Sequence, residues 1–212
     1  MVMAKHPAPG QVKTRLAAVL GEERACALYR AFVLDLAERL ARLPYPVTWA
    51  YWPPDAPFPA LLPGRSCRPQ AGADLGERMA SAVQAALAVG RSPVLVLGAD
   101  VPHVPAEHLA EAAAALATGA DVVLGPADDG GYCLIGLRRP APSLFAGVRW
   151  GTSGVLAATL ERAATAGLRV VLLAPSFDVD DAADLQRLRT LIGEGTVDLP
   201  RTARLLGLAP GA

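Results

Sequence analysis

Apolar positions recur along the chain in two rhythms. Short apolar runs at Pro93–Gly98, Asp121–Gly125 and Tyr132–Leu137 read as strands, and the first of these is apolar enough to be central and covered on both faces. Met1–Ala4, Val47–Trp52, Ser66–Gln70 and Arg169–Leu173 read as further strands. Between them the period lengthens to that of a helix. Arg15–Leu20, Glu22–Leu43, Leu75–Val89, Pro105–Ala117, Thr152–Ala166 and Asp181–Leu191 read as helices, with a short last one at Leu199–Leu206. Asp74 is placed to cap the third helix, Pro105 suits the first turn of the fourth, and Thr152 or Ser153 the cap of the fifth. Pro53–Gly64 holds five prolines and reads as loop. Strands that alternate with helices predict an α/β fold: a three-layer arrangement, a mostly parallel sheet with helices on both faces. In such sheets ligands bind beyond the carboxyl ends of the strands, so the residues that follow each apolar run are the first place to look for chemistry.

Composition narrows the class. The 212 residues are 52% hydrophobic and 19% charged with formal net charge zero, as in a compact folded protein. A neutral chain lacks the basic footprint of nucleic-acid binding. No apolar run reaches membrane-spanning length and no charged-then-apolar leader opens the chain, so the expected setting is cytoplasmic, away from membranes. Cys26, Cys67 and Cys133 are odd in number and widely spaced, which fits free thiols in a reducing compartment. His6, His103 and His108 form no zinc motif.

Of the 20 basic residues only Lys5 and Lys13 are lysines, and both fall in the loop Lys5-His6-Pro7-Ala8-Pro9-Gly10-Gln11-Val12-Lys13-Thr14-Arg15. Lysine is a compact charge on a flexible stem, suited to a phosphate oxygen in a tight loop. Gly10-x-x-Lys13-Thr14 lacks the spacer of a Walker A motif and is not one. Backbone N–H groups at a helix start, with Lys13 and Arg15, could still hold a diphosphate. The plain alternative is a surface loop with ordinary charges.

Three acidic clusters follow apolar runs. Asp100 in Gly98-Ala99-Asp100-Val101-Pro102 would project beside a bound ligand, and its hard oxygens suit Mg²⁺ or Mn²⁺ bridged to phosphates. Alternatively it caps the next turn. Asp128-Asp129-Gly130-Gly131-Tyr132 offers carboxylates beside paired glycines that either admit a ligand or make a hairpin turn. In Phe177-Asp178-Val179-Asp180-Asp181, Asp181 can cap the following helix. Asp178 and Asp180 then share one side of an extended segment, where a second metal carboxylate could come from. Gln70–Met79, with Asp74 and Arg78, and Trp150-Gly151-Thr152-Ser153 each end a loop and open a helix. Either contacts a nucleoside or substrate, or is only a capping signal.

Together these motifs, in this order and over nearly the whole chain, resemble a family of small bacterial glycosyltransferase-like proteins: the loop from Lys5 through Gly10 to Val12-Lys13-Thr14-Arg15-Leu16, then Asp74-Leu75-Gly76-Glu77-Arg78-Met79, Gly98–Pro102, Asp129–Tyr132 and Trp150–Ser153. Some members are arsenosugar-biosynthesis or radical-SAM-associated transferases. The resemblance implies one domain over 1–212 of the GT-A, nucleotide-diphospho-sugar transferase type. It also implies kinship with nucleotidyltransferases such as molybdenum cofactor and phospholactate guanylyltransferases. By that likeness Lys5, Gly10, Lys13, Thr14, Arg15, Asp74 and Arg78 would meet the nucleotide. Asp100 and Asp180 would hold Mg²⁺ or Mn²⁺. Asp100, Lys13 and Asp129 would carry catalysis. Asp129, Gly130, Gly131, Trp150, Thr152 and Ser153 would meet the substrate. The middle motif reads Gly-Ala-Asp where glycosyltransferases carry Asp-x-Asp. Two activities are therefore expected: sugar transfer from a nucleotide-diphosphate sugar to a small acceptor, or nucleotidyl transfer from an NTP to a phosphorylated small molecule with release of pyrophosphate.

Overall fold

The computed structural model describes residues 1–208. Seven strands form one sheet: β1 (Val2–Lys5), β2 (Thr48–Trp52), β3 (Ser66–Pro69), β4 (Val94–Gly98), β5 (Val122–Pro126), β6 (Tyr132–Leu137) and β7 (Val170–Leu172). Their order across the sheet is β3-β2-β1-β4-β6-β5-β7. All pairings are parallel except those of β6, which runs against both β4 and β5. The reversal has a local cause. The Asp128–Gly131 connection between β5 and β6 is too short for a crossover and closes as a hairpin turn, with the Ala127 N–H bonded to the Gly131 carbonyl at 3.0 Å. The fold is thus the expected α/β layering with one reversed strand.

Among the described residues, seven α-helices flank the sheet: α1 (Thr14–Leu20), α2 (Glu22–Ala41), α3 (Leu75–Ala88), α4 (Ala106–Ala117), α5 (Val155–Thr165), α6 (Ala182–Gly193) and α7 (Pro200–Leu205). Alternating strand residues feed two separate cores. Val94, Val96, Val122, Leu124, Ile135 and Leu137 pack with Met79 and Val83 of α3 and Ala163 of α5. Leu97, Val123 and Leu134 pack with α2, α4 and α6 through Phe32, Leu36, Leu109, Leu116 and Leu188. That period-two division buries both faces and produces the three layers. No helix among the described residues is long and apolar enough to cross a membrane.

Three local expectations change. The Pro53–Gly64 loop contains a 3₁₀ turn at Phe58–Leu61, because Phe58 is fully buried and stacks on Tyr51 with ring centroids 5.3 Å apart. Pro105 stands at the cap of α4, just outside its first turn. The fifth helix starts at Val155 with Gly154 at its cap, so neither Thr152 nor Ser153 caps it. The Thr152 hydroxyl instead donates backwards to the Arg149 carbonyl at 2.8 Å, which closes a turn ahead of the helix.

Candidate functional site

Because β1, β4, β5 and β7 run the same way and β6 runs back, the loops after β1, β4 and β7 and the β5–β6 turn all open at one edge of the sheet. Lys13, at the cap of α1, is buried, and its backbone is left-handed with φ 49. Its ammonium is ion-paired with Asp100 after β4 and lies 2.9 Å from Asp180 Oδ1 after β7. The lysine side chain is 3% exposed, whereas Asp100 and Asp180 are 42% and 43% exposed. Burial alone would lower the lysine pKa, but the two carboxylates outweigh it and hold the ammonium above its ordinary value. The carboxylate loops are themselves tied: the Val179 N–H donates to the Asp100 carbonyl at 3.0 Å.

Lys5, Val12, Lys13, Thr14, Arg15, Tyr29, Asp100 and Asp180 line one cavity of about 280 Å³. Tyr29 forms its wall: the Lys13 ammonium lies 5.6 Å from the ring centroid, and the phenol oxygen accepts from the Lys5 N–H at 3.0 Å. Burial, and then the charge on Asp100, raises the Tyr29 phenol well above its usual range, so it stays neutral. α1 has seven residues, too short a helix to offer much dipole, so the positive charge here comes from Lys5, Lys13 and Arg15. Asp178 belongs to the same cluster. Burial first, then the negative charges of Asp100 and Asp180, push its carboxyl up to about 7, against the pull of Lys13.

The other expected residues lie around this centre. Gly10 holds a positive-φ turn beside the Glu22 carboxylate and does not line the cavity. Asp74 caps α3 by accepting from the Glu77 N–H at 2.8 Å. Arg78 donates to the Gly72 and Ala73 carbonyls, and its guanidinium lies 3.4 Å from the Trp52 ring centroid. Both residues therefore build the loop before α3. Asp129 Oδ1 accepts from the Gly131 N–H at 2.8 Å. Gly130, at φ +86, presses against Ser153: a Cβ there would stand 2.2 Å from the Ser153 carbonyl oxygen. Asp129 to Gly131 and Thr152 to Ser153 thus form one surface.

Trp150 is half-buried. Its indole packs against Gly76, where a Cβ would lie 2.6 Å from Nε1, and edge-on to Tyr132 at 6.3 Å. It lies against the second core, and its ring fills the space that the missing Gly76 side chain leaves open.

Two carboxylates held at one cavity suit an ion that keeps waters and phosphate oxygens as its remaining ligands, as Mg²⁺ commonly does. Among the described residues no group of three or more His, Cys, Asp and Glu side chains is placed to cage a metal. Asp100 and Asp180 are the carboxylates that could meet an ion at this cavity.

The family model that matches is DUF2064, described as an uncharacterized protein conserved in bacteria, over residues 36–152. The chain belongs to the DUF2064 family. Its sequence is 39% identical to a candidate nucleotide-diphospho-sugar transferase from Desulfovibrio desulfuricans, whose crystal structure superposes with a TM-score of 0.90 over 97% of this chain and 93% of that one. A CMP:2-keto-3-deoxy-manno-octonic acid synthetase complexed with CTP aligns over 92% of this chain and 98% of its own, at 12% identity and a TM-score of 0.57. A cytidylyltransferase from Leptospira borgpetersenii covers 97% of this chain and 90% of its own, at 11% identity and 0.56. At those two identities the likeness is one of fold. No protein of curated function matches the sequence.

Sequence reasoning missed several contributors to the site of this DUF2064 protein. Tyr29 and Arg39 sit inside α2, where a polar residue on a helical period carries no local signal. Arg39 donates to the Pro102 carbonyl and, at 2.8 Å, to the Val104 carbonyl, so it clamps the segment just after Asp100. Arg187 pairs with Asp128 at 2.8 Å and covers Phe177, which joins the β5–β6 turn to the segment after β7.

Proposed function

We propose that this chain, as one domain, is a nucleotide-utilising transferase whose donor is a nucleotide-diphosphate sugar and whose acceptor is a small molecule. One observation carries the reading: three separate loops bring Lys13, Asp100 and Asp180 together at the carboxyl ends of the strands, in a cavity also lined by Lys5 and Arg15. Asp100 and Asp180 would hold Mg²⁺ or Mn²⁺, which when bound neutralises charge on the departing diphosphate. Lys13, Arg15 and Lys5 offer fixed positive charge to the same oxygens, and that stabilisation is worth most where charge develops. Asp129 has one oxygen tied to the Gly131 N–H and the other available to accept the acceptor's hydroxyl proton. Gly130, Gly131, Thr152 and Ser153 would shape the acceptor side. Asp74 and Arg78 would shape the nucleoside side through the loop they brace. The strong likeness to the Desulfovibrio protein supports a nucleotide-sugar donor.

Nucleotidyl transfer from an NTP is the second reading. It is favoured by the single aspartate after β4, with its partner supplied from after β7, in place of a local Asp-x-Asp.

A thermal-shift panel of nucleoside di- and triphosphates and sugar nucleotides, each with and without Mn²⁺ or Mg²⁺, separates the two. A ligand at a hundred times its Kd stabilises by about 2.7 kcal/mol, or about 5–10 °C at this chain length. The expected outcome is selective, metal-dependent stabilisation by one sugar nucleotide, abolished in Asp100→Ala. Stabilisation by an NTP and not by its diphosphate sugar would establish the second reading.

A further inference from the structure

The oxygens that would hold a divalent ion already hold a cation. The Lys13 ammonium contacts Oδ1 of both Asp100 and Asp180. We propose that Lys13 is the resident cation of the ligand-free site and makes metal binding conditional on phosphate: the ion enters only when a phosphate draws the ammonium away from the two carboxylates. This rests on the reading above, in which Asp100 and Asp180 are the metal ligands.

The surrounding parts are fixed and the lysine is the movable one. The two carboxylate loops are bonded to each other through the Val179 N–H and the Asp100 carbonyl. The loop that carries Asp100 is clamped by Arg39, and the backbone N–H groups of Asp180 and Asp181 both donate to Asp184 Oδ2 at 3.1 Å. Tyr29 stands behind the ammonium with its oxygen bonded to the Lys5 N–H. The ammonium reaches this pocket on a flexible four-carbon stem and lines the same cavity as Lys5 and Arg15, where an incoming phosphate would lie. Residue choice fits such an exchange. The chain uses arginine for 18 of its 20 basic residues, yet has lysine at this position. A guanidinium would hold the two carboxylates in a rigid fork, whereas an ammonium is a point charge that can change partners.

A site whose competent state is present in a tenth of the molecules binds about tenfold more weakly than its intrinsic affinity. Removing the ammonium removes that penalty. The test measures Mn²⁺ binding alone, by the electron paramagnetic resonance signal of the free ion, in wild type, Lys13→Met and Lys5→Met. Lys13→Met should bind Mn²⁺ at least about tenfold more tightly than wild type. Lys5→Met, which removes a like charge from the same cavity without touching the carboxylates, should stay within about twofold. No gain in Lys13→Met, or an equal gain in Lys5→Met, overturns the proposal.

A second measurement needs no variant. Two lysines give two side-chain resonances in protein made with ¹³Cε-lysine. Millimolar Mg²⁺ alone should leave the Lys13 resonance in place, and Mg²⁺ with inorganic tripolyphosphate should move it. Movement with Mg²⁺ alone, or no movement with Mg²⁺ and tripolyphosphate together, overturns the proposal. The Mn²⁺ comparison contains no nucleotide, so the two ideas fail separately. Metal-dependent nucleotide stabilisation with unchanged Mn²⁺ affinity in Lys13→Met would sink this inference and leave the functional reading standing.

Discussion

Lys13 is the one non-glycine residue with positive φ among those described. A left-handed backbone costs a side-chain-bearing residue about 1–3 kcal/mol and persists where surrounding contacts over-determine it. Here the Lys13 carbonyl accepts from the Ala17 N–H at 2.8 Å, which holds its backbone as the start of α1. His103 shows a different residue-scale effect. It is buried, stacked on Phe177 at 4.1 Å, and faces Arg39 from α2 and Arg187 from α6. Burial first, then those two positive charges, lowers its pKa from 6.5 to about 4. The native state therefore keeps the ring neutral while the unfolded chain takes up a proton below pH 6.5. The stability this gives is complete above pH 6.5 and is lost as pH falls towards about 4, by about 3 kcal/mol in total. Urea midpoints measured across that window should fall with pH in wild type and lose that part of the slope in His103→Phe. The same slope in both proteins would remove His103 as its source.

Asp100 and Lys13 were legible because each lies in a loop that follows an apolar run. Tyr29 and Arg39 were not, since their roles come from residues far along the chain. The packing of Trp150 on Gly76 was not legible either, since nothing near it in sequence announces that partner.

Between elements, the joint of α2 with α7 rests on one buried acid. Asp35 accepts from the Arg201 and Thr202 N–H groups at 3.1 and 2.9 Å and from the Thr202 hydroxyl at 2.8 Å. Asp35→Ala strands those donors and should cost about 2–4 kcal/mol, read from denaturant midpoints. Asp35→Asn keeps one acceptor oxygen and should cost less. An alanine variant within about 0.5 kcal/mol of wild type would show that α7 is held by its other contacts, among them the Arg201–Glu38 ion pair at 2.6 Å. Strands and α-helices were readable in type, because each apolar period matches one of them; the 3₁₀ turn at Phe58–Leu61 was not. What shifted was ends: Thr152 donates back to Arg149, so α5 starts later than its polar opening suggests.

For the whole molecule, the two cores lie between the sheet and its helices, while the acidic cluster lies beyond the strand ends. An ion at the proposed site would thus lie apart from what holds the fold together. Chelation with EDTA should leave the melting temperature of the ligand-free protein within about 1 °C, and should remove the stabilisation given by a nucleotide ligand. A large drop in the ligand-free protein would place a structural ion in the fold.

The sequence by itself determined the α/β class, the mostly parallel sheet and the candidate loops, because periodicity reports which faces of each element are buried and strand ends are where such sheets leave room for ligands. Tertiary structure alone decided that β6 runs backwards, that Asp178 joins the acidic cluster, and that Lys13 stands between Asp100 and Asp180. Those facts depend on strand order and on distances between residues far apart in the chain. A one-dimensional pattern of apolar and polar positions encodes burial and leaves those distances to the packing.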